Sequence, residues 1–126
     1  MLEHRSGLRD YTDTARGCYF NDTPKKVIGW LDKRAQRNAG LKTTPGEKYN
    51  YNNTNYAVLA RIVENISQKS FPDYMKTYFF TPLNMGGTQL LPYKERKLKN
   101  MLDTYKWDGK DRYTVTRCDF MVGDGG

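Results

Sequence analysis

Pro45-Gly46-Glu47-Lys48-Tyr49-Asn50-Tyr51-Asn52-Asn53-Thr54-Asn55-Tyr56-Ala57-Val58-Leu59 carries a turn, an asparagine-rich bend and the start of an apolar run within one short stretch. Thr44-Pro45-Gly46 is the turn signal. Asn52, Asn53 and Thr54 each offer a helix N-cap. Beyond them Tyr56, Leu59, Ala60, Val63 and Ile66 recur at helical spacing, and Ala57, Val58 and Ile62 widen the apolar surface to most of the circumference. A helix apolar nearly all round is a buried one, so this segment predicts a central helix.

The flanking sequence predicts more helix and a little strand. On the N-terminal side, residues up to Thr23 are polar and turn-rich. A helix is expected from Pro24 to Asn38, with Thr23 as its cap and Pro24 at the first helical position. Val27, Ile28, Leu31 and Ala35 share one face of it, and Gly40 supplies a stop. On the other side Ser70 caps a third helix with the stripe Phe71, Tyr74, Met75, Tyr78 and Phe79, ended by Pro82. Pro92 to Leu102 is a charged helical candidate, and Asp108-Gly109 between Tyr105-Lys106-Trp107 and Arg112-Tyr113-Thr114-Val115 reads as a hairpin.

Composition narrows the functional classes. The 126 residues suit one domain or a piece of a larger one. With 37% hydrophobic and 13% aromatic residues the composition is globular rather than disordered. No apolar run is long enough for a transmembrane helix, and the first residues lack the apolar stretch of a signal peptide. The +7 charge is scattered; its densest run, Lys94 to Lys99, is short and interrupted by Glu95, so no nucleic-acid partner is expected. Cys18 and Cys118 are far apart and His4 is the single histidine, so neither a metal site nor a cofactor is expected.

Tyr51-Asn52-Asn53 is where chemistry is expected. A tyrosine at a helix start meets backbone N–H groups that favour negative charge, and two neighbouring amides both donate and accept. Such a tyrosine can serve as a base if its pKa, ordinarily about 10, is lowered by a cation such as a lysine ammonium. On local pattern alone the simpler account is a packed aromatic followed by N-capping asparagines.

The wider pattern resembles the serine β-lactamase-like family, which includes class C β-lactamases, penicillin-binding proteins, D-alanyl-D-alanine carboxypeptidases and esterases. Pro45 to Leu59 is similar to its Pro-Gly turn, Tyr-x-Asn motif and apolar helix. Leu2-Glu3-His4-Arg5-Ser6-Gly7-Leu8 resembles its upstream His-x-Ser-Gly-Leu segment, Phe80-Thr81-Pro82-Leu83-Asn84-Met85 with Thr88 its Pro-Leu-x-Met stretch, and Val122-Gly123-Asp124-Gly125-Gly126 its glycine-rich return. The resemblance implies a serine that attacks a carbonyl to form an acyl-enzyme, with lysine and tyrosine relaying its proton. Tyr51 matches the general acid/base and Asn53 the orienting amide; Asn52 is the variable middle position. His4 and Ser6 match structural positions, and two residues apart in a turn they cannot form a triad.

Two signatures of that family are absent. No Ser-x-x-Lys occurs, because Ser6, Ser67 and Ser70 are followed three residues later by Arg9, Ser70 and Asp73. Neither Lys42-Thr43 nor Lys76-Thr77 continues into glycine. Residues 1–126 are therefore expected to form a partial β-lactamase-like domain. The parent fold would be the β-lactamase/transpeptidase-like α+β fold, with this part mainly α, its helical lobe plus a short hairpin. The expected parent is a serine hydrolase acting on a β-lactam, a D-Ala-D-Ala peptide or an ester. A non-catalytic penicillin-binding-like scaffold and a basic nucleic-acid-binding domain are the alternatives. Both chain ends read as cut, although a short protein starting at Met1 is a second account. The resemblance also implies an exported or envelope-associated parent.

Overall fold

The computed structural model describes residues 1–14, 24–37, 39–90, 105–107, 109–110 and 113–115. A 3-10 turn at Tyr11–Thr14 precedes helix α1 at Pro24–Ala35 and helix α2 at Asn53–Ser67. Helix α3 at Phe71–Met75 runs on into a π-helical turn at Lys76–Phe80, and strands β1 at Tyr105–Trp107 and β2 at Tyr113–Val115 follow. The strands form the antiparallel hairpin expected from Asp108-Gly109, with Lys106 opposite Thr114. The expectations for Thr23, Asn38, Pro92 to Leu102, Asp108, Arg112, Val122 to Gly126 and both cysteines lie outside the described residues.

Helix α1 packs on α2, and α2 also meets α3 and the 3-10 turn. The small core beneath these contacts joins Tyr11, Val27 and Ala57, with Trp30 packed against it. Alanine at 57 and 60 lets neighbouring elements approach closely, and both are buried. Helix α1 is shorter than expected. Arg37 and Ala39 both donate to Arg34 O at 3.0 and 2.9 Å, which closes a turn where a helix to Asn38 was expected. Its apolar stripe is also shifted, because Trp30 reaches the core whereas Ala35 is exposed. The Arg34 guanidinium lies 4.8 Å from the Trp30 ring centroid and shields its outer face.

Helix α2 departs most from expectation. Its buried residues are Thr54, Asn55, Ala57 and Ala60, all in its first half. Ile62 is 42% and Ile66 80% exposed, so the helix is not buried all round. Apolar periodicity states which side chains favour burial, but burial also needs a neighbour, and the described elements leave the side of the helix that carries Ile62 and Ile66 open. The helix ends at Gln68, whose left-handed backbone (φ 55°) lets its N–H return to Glu64 O. Glu64 then links the next element, pairing with Arg61 at 3.0 Å and accepting the Phe71 N–H at 3.2 Å.

Ser70 caps α3 as expected. Its hydroxyl accepts the Asp73 N–H at 3.2 Å and donates to the Asp73 carboxylate at 2.5 Å. The predicted stripe exists as a face, yet Tyr78 and Phe79 on it are exposed. Among the described residues, no helix is long and apolar enough to cross a membrane.

The N-terminal segment is pinned beside the Pro45-Gly46 turn. Lys42 donates to Gly7 O at 2.7 Å, Gly46 to Arg5 O at 2.8 Å and Asn50 to His4 O at 2.8 Å, and Leu8 bridges Leu41. Gly7 is buried with φ +72°, and a Cβ there would collide with the Thr43 carbonyl oxygen. Both the left-handed backbone and the close approach therefore require glycine.

Two outcomes are expected. The isolated 126-residue chain, with few buried apolar residues among those described, unfolds over a broad range and binds a hydrophobic dye; a sharp calorimetric peak without dye binding contradicts this. In the complete translation product that carries these residues, Gly7→Ala lowers stability by roughly 2 kcal/mol or more, read from the urea midpoint.

Candidate active site

Tyr51, Asn52 and Asn53 straddle the start of α2. Tyr51 and Asn52 precede it, Asn52 in extended backbone, and Asn53 is its first residue. Tyr51 is 60% exposed, Asn52 is buried and Asn53 is half-buried. The tyrosine of the motif therefore faces outward, and its middle residue faces into the protein.

His4 is the seat of Tyr51. Its ring centroid lies 4.6 Å from that of Tyr51 at an interplanar angle of 36°. Tyr56 packs against the same imidazole at 5.3 Å and Tyr49 meets it edge-on at 5.9 Å. The Asn52 N–H donates to His4 Nδ1 at 3.1 Å, so the neutral ring carries its proton on Nε2. Asn55 Nδ2 approaches the same nitrogen at 3.5 Å. His4 thus holds the backbone next to Tyr51 and packs its ring. Ser6 has no comparable place: its hydroxyl accepts the Leu8 N–H at 3.2 Å within the turn.

None of the three expected caps serves α2 in the ordinary way. Asn52 occupies the N-cap position, yet its side chain makes no capping bond. Its Nδ2 instead donates to Leu8 O at 2.6 Å. Thr54 turns its hydroxyl to residues 9–11, accepting from Tyr11 N–H at 2.8 Å and donating to Arg9 O at 2.9 Å. The cap comes from Asp10, whose Oδ2 accepts the Asn53 N–H at 2.8 Å. The same oxygen accepts Asn53 Nδ2 at 3.2 Å. Asp10 Oδ1 takes the Thr12 N–H at 2.9 Å and the Thr12 hydroxyl at 2.7 Å.

This arrangement makes electrostatic sense. Asp10 is only 8% exposed, and a buried carboxylate is costly unless it is fully hydrogen-bonded. Four donors and the positive end of α2 supply that compensation. By contrast, Asn52 Oδ1 and Asn55 Oδ1 are buried with no partner among the described residues, at about 1–3 kcal/mol each.

Tyr51 and Asn53 are legible at this helix start in the sequence, whereas Asp10 and the seating role of His4 are not. The available signal was weak: Asp10 follows closely on the segment from Leu2 to Leu8, but no local spacing rule links it to residue 53.

Comparison with known proteins supplies the context. The model of the Beta-lactamase family matches residues 1–118. Penicillin-binding protein 4* of Bacillus subtilis is 33% identical over 111 residues, which covers 85% of this chain and 23% of that protein. The octameric penicillin-binding protein homologue from Pyrococcus abyssi superposes with a TM-score of 0.75 at 24% identity, covering 99% of this chain and 30% of that one. D-amino acid amidase from Ochrobactrum anthropi SV3 gives a TM-score of 0.55 at 24% identity, over 68% of this chain and 27% of its own. The chain spans about a quarter of the length of the curated relatives it matches. With a family match over nearly all of its length, and the helical part of a β-lactamase/transpeptidase fold in its structure, the chain belongs to the Beta-lactamase family.

Proposed function

We propose that these residues are part of a serine hydrolase that acylates an active-site serine on a β-lactam, a D-Ala-D-Ala peptide or an ester. Tyr51 acts as its general acid/base and Asn53 as its orienting amide. One observation carries the reading: an exposed tyrosine at the start of α2 has its ring seated on His4, two residues before an asparagine held by Asp10. The His4 contact holds the ring in place while leaving it open to solvent, and the Asp10 bond fixes the amide of Asn53.

The chemistry follows from those roles. A serine Oγ forms a bond to the substrate carbonyl carbon while its proton passes to a base. The carbon–nitrogen or carbon–oxygen bond then breaks, and the leaving atom takes a proton from the same relay. An outward tyrosine beside a helix start can hold either end of that transfer. Asn53 Oδ1, on the branch of the amide away from Asp10, can accept from a lysine ammonium. The nucleophile and lysine of a Ser-x-x-Lys motif are not among these residues.

Translation of the flanking reading frame is expected to show Ser-x-x-Lys upstream and Lys-Thr-Gly or His-x-Gly downstream. A full frame in which the serine is replaced would favour a non-catalytic penicillin-binding-like scaffold. Incubated with a fluorescent penicillin, the 126-residue chain alone gives no covalent adduct by mass spectrometry, and the complete product gives one. In the complete product Tyr51→Phe slows adduct formation by roughly 100-fold or more while leaving the thermal midpoint nearly unchanged, because only the hydroxyl is removed from an exposed ring.

A further inference from the structure

Asn53 can meet a cation with only one branch of its amide. The two branches are similar in shape and opposite in hydrogen-bonding character, and only one presents oxygen. We propose that Asp10 is the positioning residue that decides this orientation, a proposal that rests on the hydrolase reading above. Asp10 Oδ2 accepts both the backbone N–H and Nδ2 of Asn53, at 2.8 and 3.2 Å. A carboxylate only accepts, so the branch of the amide that faces it is the NH2 group, and Oδ1 takes the other branch. One oxygen thereby holds Asn53 at two points and closes a ring that removes both amide rotation and backbone fraying. The carboxylate is itself fixed, because its second oxygen is held by the Thr12 N–H and hydroxyl at 2.9 and 2.7 Å. Burial keeps water from competing for either oxygen.

Nothing places Asp10 among the reacting atoms, so its action passes through Asn53. Asp10→Asn is the informative change, since size and burial are kept. The amide so introduced has a single carbonyl oxygen to serve two sides that both donate. If that oxygen stays on Thr12, the new NH2 group faces Asn53, and the Asn53 amide turns over to bring Oδ1 inward. If it serves Asn53, the Thr12 N–H meets another donor.

The test uses the complete translation product and the rate of fluorescent-penicillin adduct formation in four variants: Asp10→Asn, Asn53→Ala, the double variant, and Ser70→Ala. The last removes the cap of α3, remote in sequence from the motif, and controls for lost stability. Asp10→Asn is expected to slow acylation by up to roughly 100-fold, the scale of a misplaced catalytic group. The double variant is then no slower than Asn53→Ala alone, and Ser70→Ala acylates at the parent rate. Additive effects of Asp10→Asn and Asn53→Ala, or an unchanged rate in Asp10→Asn, overturn the positioning role. If instead Asn53→Ala itself acylates normally, the hydrolase assignment of Asn53 fails. Asp10 is then judged by the Asn53 side-chain NH2 resonances in nitrogen-15 spectra. These must move in Asp10→Asn and stay in Ser70→Ala; unmoved resonances overturn the proposal.

Discussion

Side chains, rather than a backbone ladder, join the N-terminal segment to the start of α2, and the candidate active site depends on that join. Exchange runs in both directions. The helix start sends Asn52 Nδ2 to Leu8 O and the Thr54 hydroxyl to Arg9 O and Tyr11 N–H. The N-terminal segment returns His4 Nδ1 to the Asn52 N–H and Asp10 Oδ2 to the Asn53 N–H. Backbone groups that a helix start and an irregular loop would each leave unpaired are thereby satisfied against one another. Each such bond contributes only about 0.5–1.5 kcal/mol net, but leaving its buried members unpaired would cost more, so the set holds together as a unit.

That unit gives the two halves of α2 different characters. The first half is buried and polar, with Thr54 and Asn55 fully enclosed and Ala57 in the core. The second half carries Ile62 and Ile66 into solvent. The chain spans about a quarter of its curated relatives, and Ile62 and Ile66 mark a side of the helix that the described elements leave open. Tyr51 and Asn53 therefore sit where the hydrogen bonds between α2 and the N-terminal segment gather. The catalytic roles proposed for them need such support, since neighbouring contacts must fix reacting side chains before substrate arrives.

Much of the architecture was legible because it rests on local rules. The Asp108-Gly109 hairpin, the proline-started α1 and the Ser70 cap of α3 were each readable from a few adjacent residues, and each was found. The central helix was readable in place but not in environment. Its periodicity identified apolar positions, whereas burial depended on which neighbours were there to meet them. The cap of α2 was hidden for a related reason. Three adjacent residues had the right side chains, but the one that caps the helix lies 43 residues away in sequence.

A Tyr-x-Asn motif at the entrance of a long helix is readable directly from the residues, because turn chemistry and helical periodicity act over a few positions. So is the order of the family segments around that motif. Which way the motif faces, and what holds it, emerges only in the folded chain. Folding turns Tyr51 outward onto His4, draws Asn52 inward and clamps Asn53 to Asp10. Those outcomes rest on hydrogen bonds that span more than 40 residues, and such bonds exist only once the chain has closed the loop between them.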